Sequence, residues 1–168
     1  SCNTTSILRT LTALKKADLL QSARGTLLRR ATDPWESHLG GIMNTLVPEP
    51  EIPSHQGPDA QSVDPDLDVV TMAVKVPETL AHLHYWSVQL TREASKDEVL
   101  DAFRTSSRIV FLRNSDGLSA INSVKELMAD LGRPQFRNQM EVNRVHLGQP
   151  SSYESKGFAS GAQALTEI

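Results

Sequence analysis

Between Thr4 and Leu20 the apolar residues fall at Ile7, Leu8, Leu11, Leu14, Leu19 and Leu20. That spacing lays one stripe along a helix, with Arg9, Lys15 and Lys16 largely off it. The period then changes. Ala23–Ala31, "ARGTLLRRA", predicts a strand that ends in the adjacent pair Arg29 and Arg30. "LDVVTMAVKVP", Leu67–Pro77, predicts a second strand, with Val70, Met72 and Val74 alternating against Thr71, Ala73 and Lys75. After a turn over Glu78–Ala81, "LHYWSVQLT" sets His84, Trp86, Val88 and Leu90 on one face. Ser95 and Glu98 form a capping box that opens a helix through Val99, Leu100 and Phe103. "RIVFLR", Arg108–Arg113, predicts a short buried strand. "LSAINSVKELMADLG" predicts another amphipathic helix, with Gly132 just past its end.

Two stretches carry no period. Val47–Asp66 holds five of the nine prolines and predicts a long, stiffened loop. Loops of that length inside a compact domain are functional or disordered, and its place between two strands favours function. The residues after about Gln135, "GQPSSYESKGFASGAQ" among them, are small and polar, and predict a divergent or poorly ordered tail over 135–168. Strands interleaved with helices give an α+β class, a mixed or antiparallel sheet covered by helices, over residues 1–134.

Composition narrows the functional classes. A chain of 168 residues with 22% charged and 39% hydrophobic residues reads as one soluble globular domain. The net charge of −3 argues against nucleic-acid binding, and no apolar run approaches the roughly 20 residues that span a bilayer. No signal peptide is visible. The single cysteine permits no internal disulfide, which fits a reducing cytoplasm.

That cysteine, Cys2, stands where the first helix begins. Unpaired backbone N–H groups there stabilise a thiolate, and Asn3, Thr4 and Thr5 add side-chain donors. The bland alternative is a small buried thiol. A thiol nucleophile needs a base, and five histidines are available: His38, His55, His82, His84 and His146. His82 and His84 point the same way if one strand runs through both, and the residues alone do not choose between them. His-x-His without a nearby carboxylate–cysteine set is no metal site, so no metal is expected. Arg29 and Arg30 with His55 could hold an anion, or could be a solvated pair at a strand exit. The chain has no glycine-rich dinucleotide fingerprint and no phosphate-cradling loop, so a redox role needs a cofactor domain from elsewhere.

"SCNTT" followed by "LRTL" resembles the nucleophile segment of archaeal-type phosphorylating glyceraldehyde-3-phosphate dehydrogenases. "LRRATDP" is similar to that family's "RRxxDP", "VPEPEIPSHQGPD" to its "P-S-H-H-G-P-D" loop, and "TMAVKVPETLAHLHYWSV" to its "TMAVxVPTTLxHxH". "DGLSA…ELMADLGRP" resembles the helix that follows. Order and spacing agree from Ser1 to about Pro134. The resemblance implies a catalytic, substrate-binding domain over 1–134. It implies NAD(P)-dependent oxidation of glyceraldehyde 3-phosphate, with inorganic phosphate releasing a cysteine thioester as 1,3-bisphosphoglycerate. Cys2 matches the nucleophile and His82 the general base. Ser1 and Asn3 flank the cysteine as substrate contacts, and Arg29 matches a phosphate ligand. Gln56 and Gly57 match the substrate-contacting positions of the loop that also holds His55, and Arg30 matches a cofactor contact. NAD or NADP would be bound mainly by a half absent before Ser1, and a homo-oligomer, a tetramer by family, is implied.

Three departures stand out. Gln56 occupies the place of a second histidine, the dinucleotide-binding half is missing, and the family's closing "Q-A-x-H-Q-E-S" has no counterpart after Pro134. The chain therefore reads as the second half of an enzyme. A competing reading is a non-catalytic folding and oligomerisation module with Tyr85, Trp86 and Val88 on a subunit face. A third is a cysteine–histidine hydrolase using Cys2 and His82, for which no group orienting the histidine is identifiable.

Overall fold

The computed structural model describes residues 2–30, 45–77, 81–106, 109–111, 141–145 and 158–167. Ser1, His38, His146 and the helix expected to end at Gly132 lie outside them.

Helix α1 (Cys2–Lys16) buries Ile7, Leu11 and Leu14, so the stripe read from the sequence faces the core. The helix stops four residues before Leu20. Asp18 takes a left-handed conformation (φ 56°), its N–H bonds to Lys15 O at 3.0 Å, and Leu19 N–H reaches back to Leu14 O at 3.0 Å. These two bonds close a Schellman turn with aspartate in the place glycine usually takes, and Leu14 packs with Leu19 beneath it. Lys15 and Lys16 in the last turn suit the negative end of the helix. Leu20 therefore opens β1 (Leu20–Arg30) instead of ending α1.

Short β2 (Val47–Pro48) is followed by α2 (Gln56–Val63), β3 (Val69–Val76), β4 (Ala81–Leu90), α3 (Lys96–Arg104), β5 (Ile109–Phe111), β6 (Glu141–Val145) and β7 (Phe158–Glu167). The sheet order is β2-β3-β1-β4-β7-β6-β5. β1 runs parallel to β3 and β5 to β6, while the β2–β3, β1–β4, β4–β7 and β6–β7 pairs are antiparallel. The mixed sheet covered by helices is the expected class. Ala23, Leu27, Val69, Ala73, Trp86 and Val88 form its buried face together with α1 and α3 residues. Met72 and Tyr85 point the other way and are 46% and 40% exposed. Among the described residues no helix is long and apolar enough to cross a membrane.

Two expectations change here. The proline-rich loop contains α2, because Pro58 falls in the helix's first turn, where its missing N–H costs nothing, and Asp59 suits that end. Residues 135–168, read as a divergent or poorly ordered tail, contribute β6 and β7. The long β7 pairs with β4 from Ala81↔Glu167 to Gln89↔Phe158. β7 reads "FASGAQALTE", small and polar residues without a sustained apolar alternation, so the sequence carried no period to announce it.

Candidate active site

The site lies where α1 begins, at the ends of β1 and the start of β4. Cys2 is the first residue of α1. Asn3, next to it, is 3% exposed, and its Oδ1 lies 2.8 Å from His84 Nε2 on β4. His84 stands opposite Leu27 of β1 and meets Trp86 edge-on, with ring centroids 6.0 Å apart at 74°. β4 extends back through Ala81, so His82 belongs to the strand and shares the buried face with His84.

The two histidines are held differently. His82 Nδ1 accepts the backbone N–H of Arg30 at 2.9 Å, so the neutral ring carries its proton on Nε2. Burial first, then the charges of Arg30 and Arg29, lower its pKa from 6.5 to about 4. Burial and the neighbouring His82 lower that of His84 to about 3. Both rings are neutral at pH 7. His84 Nδ1 is buried with no partner among the described residues. A bare nitrogen lone pair is cheaper to bury unpaired than an N–H, so the proton sits on Nε2 and donates to Asn3.

A second cluster adjoins the first through β1. Arg29 Nη1 donates to Glu49 Oε1, and both side chains are about four-fifths buried. Glu49 also takes His55 Nδ1 at 3.2 Å on Oε2 and Gln56 Nε2 at 3.1 Å on Oε1. Gln56 Nε2 lies 3.2 Å from His55 Nε2, which makes His55 the Nδ1–H tautomer. Ser54 fixes this loop to β3: its Oγ lies 2.8 Å from Thr71 Oγ1 and its N–H bonds to Thr71 O at 2.7 Å. Gly57 N–H donates to the same Thr71 Oγ1 at 3.0 Å, and a Cβ on Gly57 would sit 3.0 Å from that oxygen.

The expected residues are thus sorted into two groups. Asn3 meets His84 directly, while His82 holds the Arg30 backbone. Arg29, His55 and Gln56 come together, as an anion site would require, but around a carboxylate. Glu49 balances the Arg29 charge. Sequence reasoning missed it, because an acid between two prolines in an irregular stretch has no spacing that points at an arginine 20 residues earlier. Gln56 is sealed from solvent with Oε1 unpartnered among the described residues, and Gly57 N–H is already used by Thr71. The shared subunit face proposed for Tyr85, Trp86 and Val88 does not exist. Neighbours along a strand alternate, and Trp86 and Val88 are each 1% exposed in the core.

These features define a class: a helix-covered mixed sheet whose strand ends hold a cysteine-bearing helix start, two buried histidines and an arginine pair. Residues 1–130 match the family profile described as "Glyceraldehyde 3-phosphate dehydrogenase, C-terminal domain". The chain is 44% identical over 137 residues to the glyceraldehyde-3-phosphate dehydrogenase of Methanopyrus kandleri, covering 81% of this chain and 39% of that protein. It is 42% identical over 157 residues to that of Methanococcoides burtonii, covering 93% and 45%. For that of Pyrobaculum calidifontis the figures are 44% over 137 residues, 80% and 40%. The chain belongs to the glyceraldehyde-3-phosphate dehydrogenase family, through its C-terminal domain. It spans about two-fifths of the length of these relatives.

Proposed function

We propose that this chain is the catalytic part of a phosphorylating glyceraldehyde-3-phosphate dehydrogenase, working in the cytoplasm as a homo-oligomer. The observation that carries the reading is the Asn3–His84 hydrogen bond, which ties the strand of two histidines to the helix start that bears Cys2. The Cys2 thiolate attacks the aldehyde carbon of glyceraldehyde 3-phosphate, with Ser1 and Asn3 as substrate contacts. NAD or NADP, bound mainly by a region these 168 residues do not include, supplies hydride acceptance when present. Arg30 has the charge to contact it. His82 takes the hydroxyl proton as the thiohemiacetal is oxidised, and inorganic phosphate then cleaves the thioester.

His82 is neutral and so in the charge state of a proton acceptor. Its Nδ1 already holds Arg30 N–H, so accepting a proton at Nε2 requires the other tautomer and release of that backbone bond. An anion beside Arg29 and Arg30 offsets the two charges that depress the ring, and moves its pKa back toward neutrality. Substrate phosphate and base strength are thereby coupled. Arg29 reaches that anion while Glu49 holds its Nη1, His55 and Gln56 hold Glu49 in turn, and Gly57 fixes the loop.

The test is acyl-enzyme formation from glyceraldehyde 3-phosphate and nicotinamide cofactor in the chain joined to its cofactor-binding region. Cys2→Ser abolishes the thioester and leaves the fold intact. A persisting acyl-enzyme refutes the assignment. His82→Asn slows the first turnover's hydride transfer far more than His84→Asn, and equal effects mean that the base lies elsewhere.

A further inference from the structure

His84 has no part in the proton transfer just described, yet it is the more deeply buried of the two histidines and touches the nucleophile's helix at Asn3. Its Nε2–H can meet only an acceptor. The acceptor is Asn3 Oδ1 at 2.8 Å, between two side chains that are 0% and 3% exposed. An amide held by its oxygen has its other end fixed: the two N–H groups of Asn3 Nδ2 point away from His84. Were the amide flipped, Nδ2 would donate to Nε2, the proton would move to Nδ1, and a buried N–H would be left unpaired. The imidazole therefore reads which way the Asn3 amide faces. Burial, the Trp86 edge and the opposing Leu27 hold the ring in place.

We propose that His84 is a positioning residue that locks the Asn3 amide with Nδ2 toward the substrate carbonyl at Cys2, where it donates to the oxygen that becomes negative on attack. The proposal rests on Cys2 being the nucleophile. In the step concerned the sulfur–carbon bond forms, the C=O π pair moves onto oxygen, and the proton lost by the thiol returns to that oxygen as the thiohemiacetal. A donor aimed at the developing charge favours the adduct, and a misdirected one does not. His84 acts through Asn3 and touches no reacting atom.

Two reactions of the same thiol separate this role from a structural one. Adduct formation with glyceraldehyde 3-phosphate carrying ¹³C at its aldehyde carbon puts charge on oxygen and is read by NMR. Alkylation by iodoacetamide creates no oxyanion, and reports only thiolate supply and access. His84→Leu is expected to weaken the adduct roughly tenfold relative to the alkylation rate. His84→Gln, which keeps an N–H donor near Nε2, stays within about twofold of the parent. Asn3→Ala loses as much as His84→Leu, and combining the two adds little. An unchanged ratio in His84→Leu, or additive losses in the double variant, overturns the proposal. Should His84→Leu fail to fold, an unchanged ratio in Asn3→Ala overturns it equally. A parent chain that is alkylated but forms no aldehyde adduct removes Cys2 as nucleophile, and the proposal falls with it.

Discussion

Lowering the pH from 7.5 to 5 tests the buried neutral histidines, and His84→Gln is the perturbation that isolates one of them. An unfolded histidine takes up a proton below about 6.5, whereas His82 holds off to about 4 and His84 to about 3. Below pH 6.5 the unfolded state therefore binds more protons, so folding stability falls as the pH falls. The contribution is complete above 6.5. It drains at about 1.4 kcal/mol per pH unit for each histidine until the folded rings protonate. From pH 7.5 to 5 that is about 2 kcal/mol per ring. Glutamine at 84 retains a donor for Asn3 and does not titrate, so its pH-dependent loss is smaller than the parent's by about 2 kcal/mol. Carboxylates titrate alike in both proteins and cancel in the difference. Urea unfolding followed through tryptophan fluorescence at pH 7.5, 6 and 5, with the m-value unchanged, gives the two curves. Parallel curves would refute the reasoning, because His84 would then have to protonate as easily folded as unfolded.

Two other substitutions test the packing and the charge balance. A Cβ at Gly25 would lie 2.4 Å from Trp86 Cζ3 and 2.6 Å from Cη2, in a strand paired on both sides, so Gly25→Ala should cost about 1–3 kcal/mol. Adding Trp86→Leu should give a loss below the sum of the two single changes in denaturant titrations, and a Gly25→Ala protein within about 0.5 kcal/mol of the parent would show that the indole has room to move. Glu49→Gln leaves the Arg29 charge without its carboxylate and should lower stability at pH 7 by about 1–2 kcal/mol. Inorganic phosphate should restore more of the melting temperature in that variant than in the parent, since an anion replaces the lost charge, and equal phosphate responses would place the anion elsewhere.

β3 was legible as a strand but not in its facing: it buries Val69, Thr71 and Ala73 and leaves Met72 exposed, against the face of Val70, Met72 and Val74 that the pattern set apart. The alternation of β4 and the stripe of α1 were legible because each is a relation between residues one to four apart. The capping box was too: Ser95 Oγ accepts Glu98 N–H at 3.2 Å. So was the arginine pair at the end of a strand, and the presence of Cys2 at a helix start. The end of α1 was not, because leucines at 19 and 20 continue the stripe while the left-handed turn at Asp18 redirects the chain. Nor was β7, whose place depends on the open edge of β4. What the site can do was decided at longer range. Two histidines only two residues apart part company once Arg30 N–H reaches one from 52 residues away and Asn3 the other from 81. Glu49, invisible as a site residue, sets the charge at Arg29 only after the proline-rich stretch folds back on β1. Local periodicity follows from the geometry of a single helix or strand. The pairing of buried charges and donors is fixed by the low-dielectric interior that the whole sheet encloses, and the chain has to close before it exists.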